Sequence, residues 1–317
     1  MAKLLNLIKN EWMKLWSKKS TWIMIALLVV VLFASSAITN WVNSTMNENI
    51  DESWQDIQTA QLMNFQAMLS EPDLGEAQQA YYEREIAISQ YRLDNEVPPF
   101  EYSSMQQQVL DSHLMLSLVT LFTVIVAGGI MASEFSQGTI KMLLTRPVKR
   151  WKILTSKYIT TMLFAVLLSV ITVAATALAG LLFFGIGEGT FLVWTGSEVT
   201  EGSYWLEALK LVALSFASVW MIGTFAFMLG TLFRSSSLAI GLSIFLMFTG
   251  VQAVFLLSNY EIVKYYLFTH TDLTQYYTGF MLAPDITMTM SLIVLSVYFI
   301  IFMALSYITF NKRDITA

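Results

Sequence analysis

Cysteine is absent from the 317 residues. That excludes disulfides and thiolate metal sites, so any domain outside a membrane must be held by packing alone. Charge is scarce too, at 13% of residues against 56% hydrophobic, with a mean hydropathy of +0.58. A water-soluble domain has no use for so much apolar surface, least of all gathered into long uncharged runs, and the chain therefore needs lipid as solvent. No G-x-x-x-x-G-K-[ST] loop and no soluble α/β domain occur, so the chain cannot drive itself with nucleotide. No H-E-x-x-H occurs, and the two histidines, His113 and His270, have no partner at metal-ligand spacing. Neither a catalytic residue nor a metal site is expected. Ionisable residues are missing inside the apolar runs, and only His113, Glu207, Lys210 and Arg234 come near their edges. An ion-coupled carrier, which keeps such groups at membrane depth, is thereby disfavoured. No repeat of 20 to 50 residues and no inverted repeat stands out.

What is present is six apolar runs, each long enough to cross a bilayer as a helix, which takes about 20 residues. They cover residues 21–42, 112–133, 158–185, 206–233, 236–258 and 288–310. Lysines precede the first run as in a signal peptide, but the run exceeds a signal core and lacks a small-residue cleavage site, so it reads as a retained span. Fourteen of the 18 basic residues fall on the side that holds the N-terminus, leaving Arg84, Arg92, Lys210 and Lys264 for the other. The positive-inside rule then places both termini in the cytoplasm. Of the 23 acidic residues only Glu11, Glu134 and Asp314 share that side.

The intervening segments differ in kind. Residues 1–20 form an amphipathic helix on paper, with Leu4, Leu5, Ile8, Trp12, Leu15 and Trp16 on one face, suited to the cytoplasmic interface. Residues 43–111 are polar, with 13 acidic residues against 2 basic, and their helical periodicity on either side of the EPDLGE break predicts an extracytoplasmic helical hairpin ending near Pro98 and Pro99. Residues 186–205 read as a short outer loop. Residues 259–287, rich in Tyr and Phe, read as an interfacial or re-entrant segment, and residues 311–317 as a cytoplasmic tail. The fold class is an all-α polytopic membrane protein of six spans, with an N-terminal interfacial helix and a helical extracytoplasmic insertion between spans one and two.

One segment is neither span nor bland loop: EFSQGTIKMLLTRPVKRWKILTSK, residues 134–157. Ile140, Leu143 and Leu144 make a short apolar ridge. Gly138 and Pro147 bracket about two turns of helix, since proline disfavours helix before it, and a basic stretch follows. The segment resembles the signature of the ABC type-2 export permeases: a Glu after the second span, Gly-Thr, Leu-Leu, a Pro followed by Arg, and a later Lys. Here these are Glu134, Gly138, Thr139, Leu143, Leu144, Pro147, Arg150 and Lys157. The opening KNEWMKLWSKKSTW, residues 9–22, is similar to the start of many bacterial members of that family.

The resemblance implies a cytoplasmic coupling helix that docks on an ATPase subunit, carried by Glu134, Gly138, Thr139, Leu143, Leu144, Arg146, Pro147 and Arg150. It implies a permease in a bacterial cell membrane that exports a substrate with energy from a separate ABC ATPase, present in two copies, and a second permease, identical or homologous. ATP and Mg would be bound by that ATPase, with no cofactor in this chain; membrane lipid is a partner and nucleic acid is not. The alternative is a membrane scaffold or sensor whose extracytoplasmic hairpin binds a ligand.

Overall fold

The structure, a computed structural model, describes residues 2–46, 53–72, 74–100, 103–140, 142, 148–233, 235–258, 260–283 and 285–312. The chain is an all-α polytopic membrane protein, with six helices among the described residues long and apolar enough to cross a bilayer. A short α1 (Ala2–Ser17) leads into α2 (Lys19–Met46), the first span. The corner between them is made without a loop. Thr21 Oγ1 donates to Leu15 O at 2.6 Å and Trp22 Nε1 to Trp16 O at 3.1 Å, while the Trp16 and Trp22 rings meet edge-on at 4.9 Å. These bonds satisfy carbonyls left free where the helix turns and hold α1 at a fixed angle to the first span.

The polar insertion folds as α3 (Trp54–Leu69) and α4 (Glu76–Asp94), packed side by side. Ser53 caps α3: its Oγ accepts from Asp56 N at 3.2 Å, and Asp56 Oδ2 accepts from Ser53 N at 3.3 Å. The second span is compound, with α5 (Met105–Asp111) joined to α6 (Leu116–Ser136) by a 3-10 turn. The third, α7 (Arg150–Phe183), has 34 residues and is about 51 Å long, well beyond the roughly 30 Å of a hydrocarbon core. It begins at Arg150, ahead of the apolar run that starts at Tyr158, because helical geometry continues through charged residues once hydropathy has stopped.

The loop expected over residues 186–205 contains a two-stranded antiparallel ribbon instead, β1 (Leu192–Trp194) with β2 (Val199–Glu201), pairing Val193 with Thr200. The fourth and fifth spans, α8 (Tyr204–Leu232) and α9 (Ser236–Leu257), follow. The aromatic segment breaks into a 3-10 turn (Glu261–Tyr265) and two single turns, α10 (Leu267–His270) and α11 (Gln275–Thr278). The last span is α12 (Met288–Lys312). Within this segment His270 is fully buried. Its Nε2 faces Lys264 O at 2.8 Å and its Nδ1 faces Ser291 Oγ at 2.5 Å, which is a structural tie between the segment and α12.

Because successive spans alternate in direction, the bundle has two distinct ends. One carries α1, the end of α6, the start of α7 and the end of α12. The other carries the α3–α4 hairpin, the ribbon and the aromatic segment. Spans α6, α7 and α8 bury half or more of their apolar windows inside the chain, whereas α9 and α12 bury 17%. The central helices touch through glycine: a Cβ on Gly230 of α8 would lie 2.4 Å from Gly128 O of α6, so the two backbones are in direct contact. Two apolar cores flank this contact, one joining α6, the first turns of α7, α8, α9 and α12 with the aromatic segment, the other joining α1, α2, α6, α7 and Val219 of α8.

Candidate functional site

At the α1 end, four charged side chains from three helices close into a ring. Lys157 of α7 is 1% exposed and donates to Glu11 Oε2 of α1 at 2.7 Å and to Glu134 Oε1 of α6 at 2.9 Å. Lys14 of α1, half exposed, returns the connection with Nζ 3.1 Å from Glu11 Oε1 and 3.4 Å from Glu134 Oε1. Glu134 Oε2 accepts from Thr139 Oγ1, so its remaining oxygen is bound to the segment that follows α6. Two ammonium groups and two carboxylates leave no net charge. Such a ring is affordable in a poorly hydrated place because each ion has two partners, whereas removing one member would leave the others charged and uncompensated.

Local structure explains how the residues arrive there. Glu11 and Leu15 lie one turn apart on α1 and are both buried, so this helix presents a mixed face, with an acid beside an apolar contact, to α7. Glu134 sits in the last turn of α6. The helix stops two residues later, and Gly138 takes a left-handed φ of +70° with nothing within 4 Å of where a Cβ would stand. The glycine is therefore required by backbone conformation and not by crowding. Lys157 lies two turns inside α7, where the ring is within reach of its long stem.

Outside the spans, Lys14 shows the ring's electrostatic effect directly. Burial works against its charged form, but attraction to Glu11 and the hydrogen bond with it, followed by Glu134, outweigh burial and raise its pKa above 10.5.

Of the residues singled out in the sequence, Glu134 and Thr139 are in the ring or bonded to it, and Gly138 makes the turn between them. Arg150 stands apart, donating from Nη1 to Asn311 O at 3.0 Å and so fastening the start of α7 to the last turn of α12, where a cation is favoured. Leu143, Leu144, Arg146 and Pro147 lie outside the described residues. Glu11 and Lys14 were not foreseen as members, and Lys157 was noted only as part of the signature. The available signal was that Glu11 and Glu134 are acids in the segments to which the sequence assigns fourteen of the 18 bases. Among the described residues no group of His, Asp and Glu is disposed to hold a metal.

Residues 77–316 match a family described as "Protein of unknown function (DUF2705)", a match over most of the chain. The chain belongs to that family. It is 38% identical over 317 residues to "Uncharacterized protein YhcI" of Bacillus subtilis (strain 168), an alignment covering 98% of this chain and 99% of that one. It is 34% identical over 205 residues to "Uncharacterized membrane protein YdbK" of the same organism, covering 62% of this chain and 78% of the relative. The family match takes in Glu134 and Lys157 and begins after Glu11 and Lys14. The name of the second relative agrees with the six apolar helices: this is a multi-pass membrane protein.

Proposed function

We propose that the chain is the membrane-spanning permease subunit of an ATP-binding-cassette exporter, with the α1 end in the cytoplasm of a bacterial cell and the hairpin outside. The reading rests on the resemblance of residues 134–157 to the coupling segment of ABC type-2 permeases, and the observation that carries it is the ion ring at the root of that segment. Glu134, held by Thr139 on one side and by Lys157 and Lys14 on the other, links the segment to α1, α6 and α7 at once. A push on the segment would therefore move three helices as a body. This is the kind of rigid displacement that alternating access requires, provided the packing has a second stable arrangement.

In this mechanism two permeases pair, two ATPase subunits bind beneath them with ATP and Mg, and closure of the ATPase dimer shifts residues 134–150. Arg146, Lys149 and Arg150 supply positive charge to the ATPase or to anionic headgroups, and no step is carried out by a catalytic group of this chain. Affinity purification from native membranes should bring down a nucleotide-binding subunit whose vanadate-sensitive ATP hydrolysis is stimulated by this chain. Glu134→Lys, which places a third cation in the ring, and Gly138→Trp, which strains the left-handed turn, should each remove that stimulation while the protein still elutes as a folded species. Co-purification of a signalling protein with no nucleotide-binding subunit, or full stimulation in both variants, would overturn the proposal in favour of a membrane scaffold or sensor.

A further inference from the structure

At the hairpin end, α3 and α4 stand away from the tops of the spans and leave between them a cavity of about 1090 Å³. That is slightly above the usual range for small-molecule sites, about 300–1,000 Å³. Its walls come from six separate parts of the chain: the hairpin, Pro98 to Phe100, α5, the ribbon with Glu188 ahead of it, the first turns of α8, and Tyr277 of α11. Trp54, Phe65, Phe100, Phe191, Trp194 and Tyr277 give it an aromatic lining.

The charges on this lining are unequal in a specific way. Three cations face the cavity, Arg84, Arg92 and Lys210, and all are engaged by the protein itself. Arg84 pairs with Glu85 at 2.7 Å and donates to Tyr277 O at 3.0 Å. Lys210 pairs with Glu207 at 3.2 Å and stands 3.9 Å from the centre of the Tyr277 ring, on which Arg84 also stands at 4.2 Å. Arg92 donates to Pro98 O at 3.0 Å and Thr190 O at 2.9 Å, stapling the end of the hairpin to the loop before the ribbon.

Four carboxylates line the same space. Glu85 and Glu207 are used by the cations just named, while Asp111 and Glu188 have no Lys or Arg partner among the described residues. Asp111 accepts from Gln107 Nε2, at 3.2 Å to each oxygen, which orients the carboxylate without neutralising it. The cavity thus has every cation engaged by the protein, two carboxylates without a cationic partner, one net negative charge from four acids against three bases, and aromatic walls between them.

We propose that this cavity binds an amphipathic organic cation, with Asp111 and Glu188 taking the charged amine or onium group and the aromatic lining taking its apolar body. Ring faces attract cations as well as apolar groups, so both parts of such a ligand are favoured by one surface. An anion of the same shape would meet two unpaired carboxylates and no free cation. The inference is independent of the coupling proposed at the opposite end, since it holds whether or not an ATPase binds there.

The test uses the full-length protein in nanodiscs of zwitterionic lipid and two probes of matched size and opposite charge, tetraphenylphosphonium and tetraphenylborate. Equilibrium dialysis, with empty nanodiscs subtracted, should give saturable binding of the phosphonium only. Asp111→Asn and Glu188→Gln should each weaken it about tenfold, and Asp111→Glu should retain it. Glu188 is exposed, so Glu188→Gln decides the matter even where Asp111→Asn fails to fold. No saturable phosphonium binding, equal binding of the borate, or unchanged affinity in Glu188→Gln would overturn the site.

Discussion

The two ends of the bundle use the same residue types to opposite effect. At the α1 end, Glu11, Lys14, Glu134 and Lys157 spend their charges on one another, and Lys157 is sealed from solvent. At the hairpin end, Arg84, Lys210, Glu85 and Glu207 also pair, but around an open space and with two carboxylates left over. The difference lies in what fills the gap between the charges. Where protein fills it, an ion pair fixes one geometry, because every alternative leaves a buried charge alone. Where solvent fills it, the same pair is a weak and adjustable contact and the surplus charge is available to a ligand.

The largest effect expected from this contrast is at Lys157. Lys157→Met leaves two largely buried carboxylates sharing only the half-exposed Lys14, and loss of the buried member of such a group costs about 3–5 kcal/mol. Thermal unfolding in detergent should show a large fall in midpoint. The triple variant Lys157→Met, Glu11→Gln, Glu134→Gln should recover most of it, because the one charge then left, on Lys14, is half exposed and can be solvated. Lys264→Met at the other end removes the partner of Asp285, a carboxylate 76% exposed, and should cost roughly 0–1 kcal/mol. Equal melting of the two single variants would erase the distinction between the ends.

Packing offers a second comparison of intermediate size. Gly230→Ala puts a Cβ 2.4 Å from a backbone oxygen of α6, and neither helix can yield without moving the other, so a loss of about 3 kcal/mol is expected. Gly279→Ala, which ends α11 at φ +71°, puts its Cβ the same 2.4 Å from a ring atom of Tyr81. There the obstacle is a side chain at the edge of a cavity, and the main penalty is the left-handed backbone, roughly 1–2 kcal/mol. Adding Tyr81→Ala should relieve part of the Gly279→Ala loss in a melting experiment. No single side-chain truncation should relieve Gly230→Ala.

These regions were not equally legible in the sequence. The six helices follow from the length of their apolar runs, a property of contiguous residues, and the hairpin follows from periodicity on each side of a break. The start of α7 at Arg150 was hidden because hydropathy reports where lipid is and not where helix is. The ribbon was hidden because three residues per strand give no alternation to read. At the α1 end, Glu134, Gly138 and Thr139 were marked by their neighbours in one short motif. Glu11 joins Lys157 across 146 residues of chain, and no local pattern encodes a partner so distant. The cavity at the hairpin end is built from six separated segments and was legible only as an acidic composition.

The smallest effect, and the finest test of the ring as a closed unit, is at Lys14. Its side chain is half exposed, so Lys14→Gln should cost only about 0–1 kcal/mol at neutral pH. The sign of its pH dependence is nevertheless fixed. The folded-state pKa lies above the ordinary 10.5, so the stabilisation is fully present below that value and is lost as pH rises through the raised one. The difference in unfolding midpoint between wild type and Lys14→Gln should therefore stay constant through the neutral range and shrink only in strong alkali. A difference that already shrinks on going from pH 7 to pH 9 would mean that Lys14 does not share the two carboxylates with Lys157, and the ring would reduce to the buried ion pairs of Lys157 with Glu11 and Glu134.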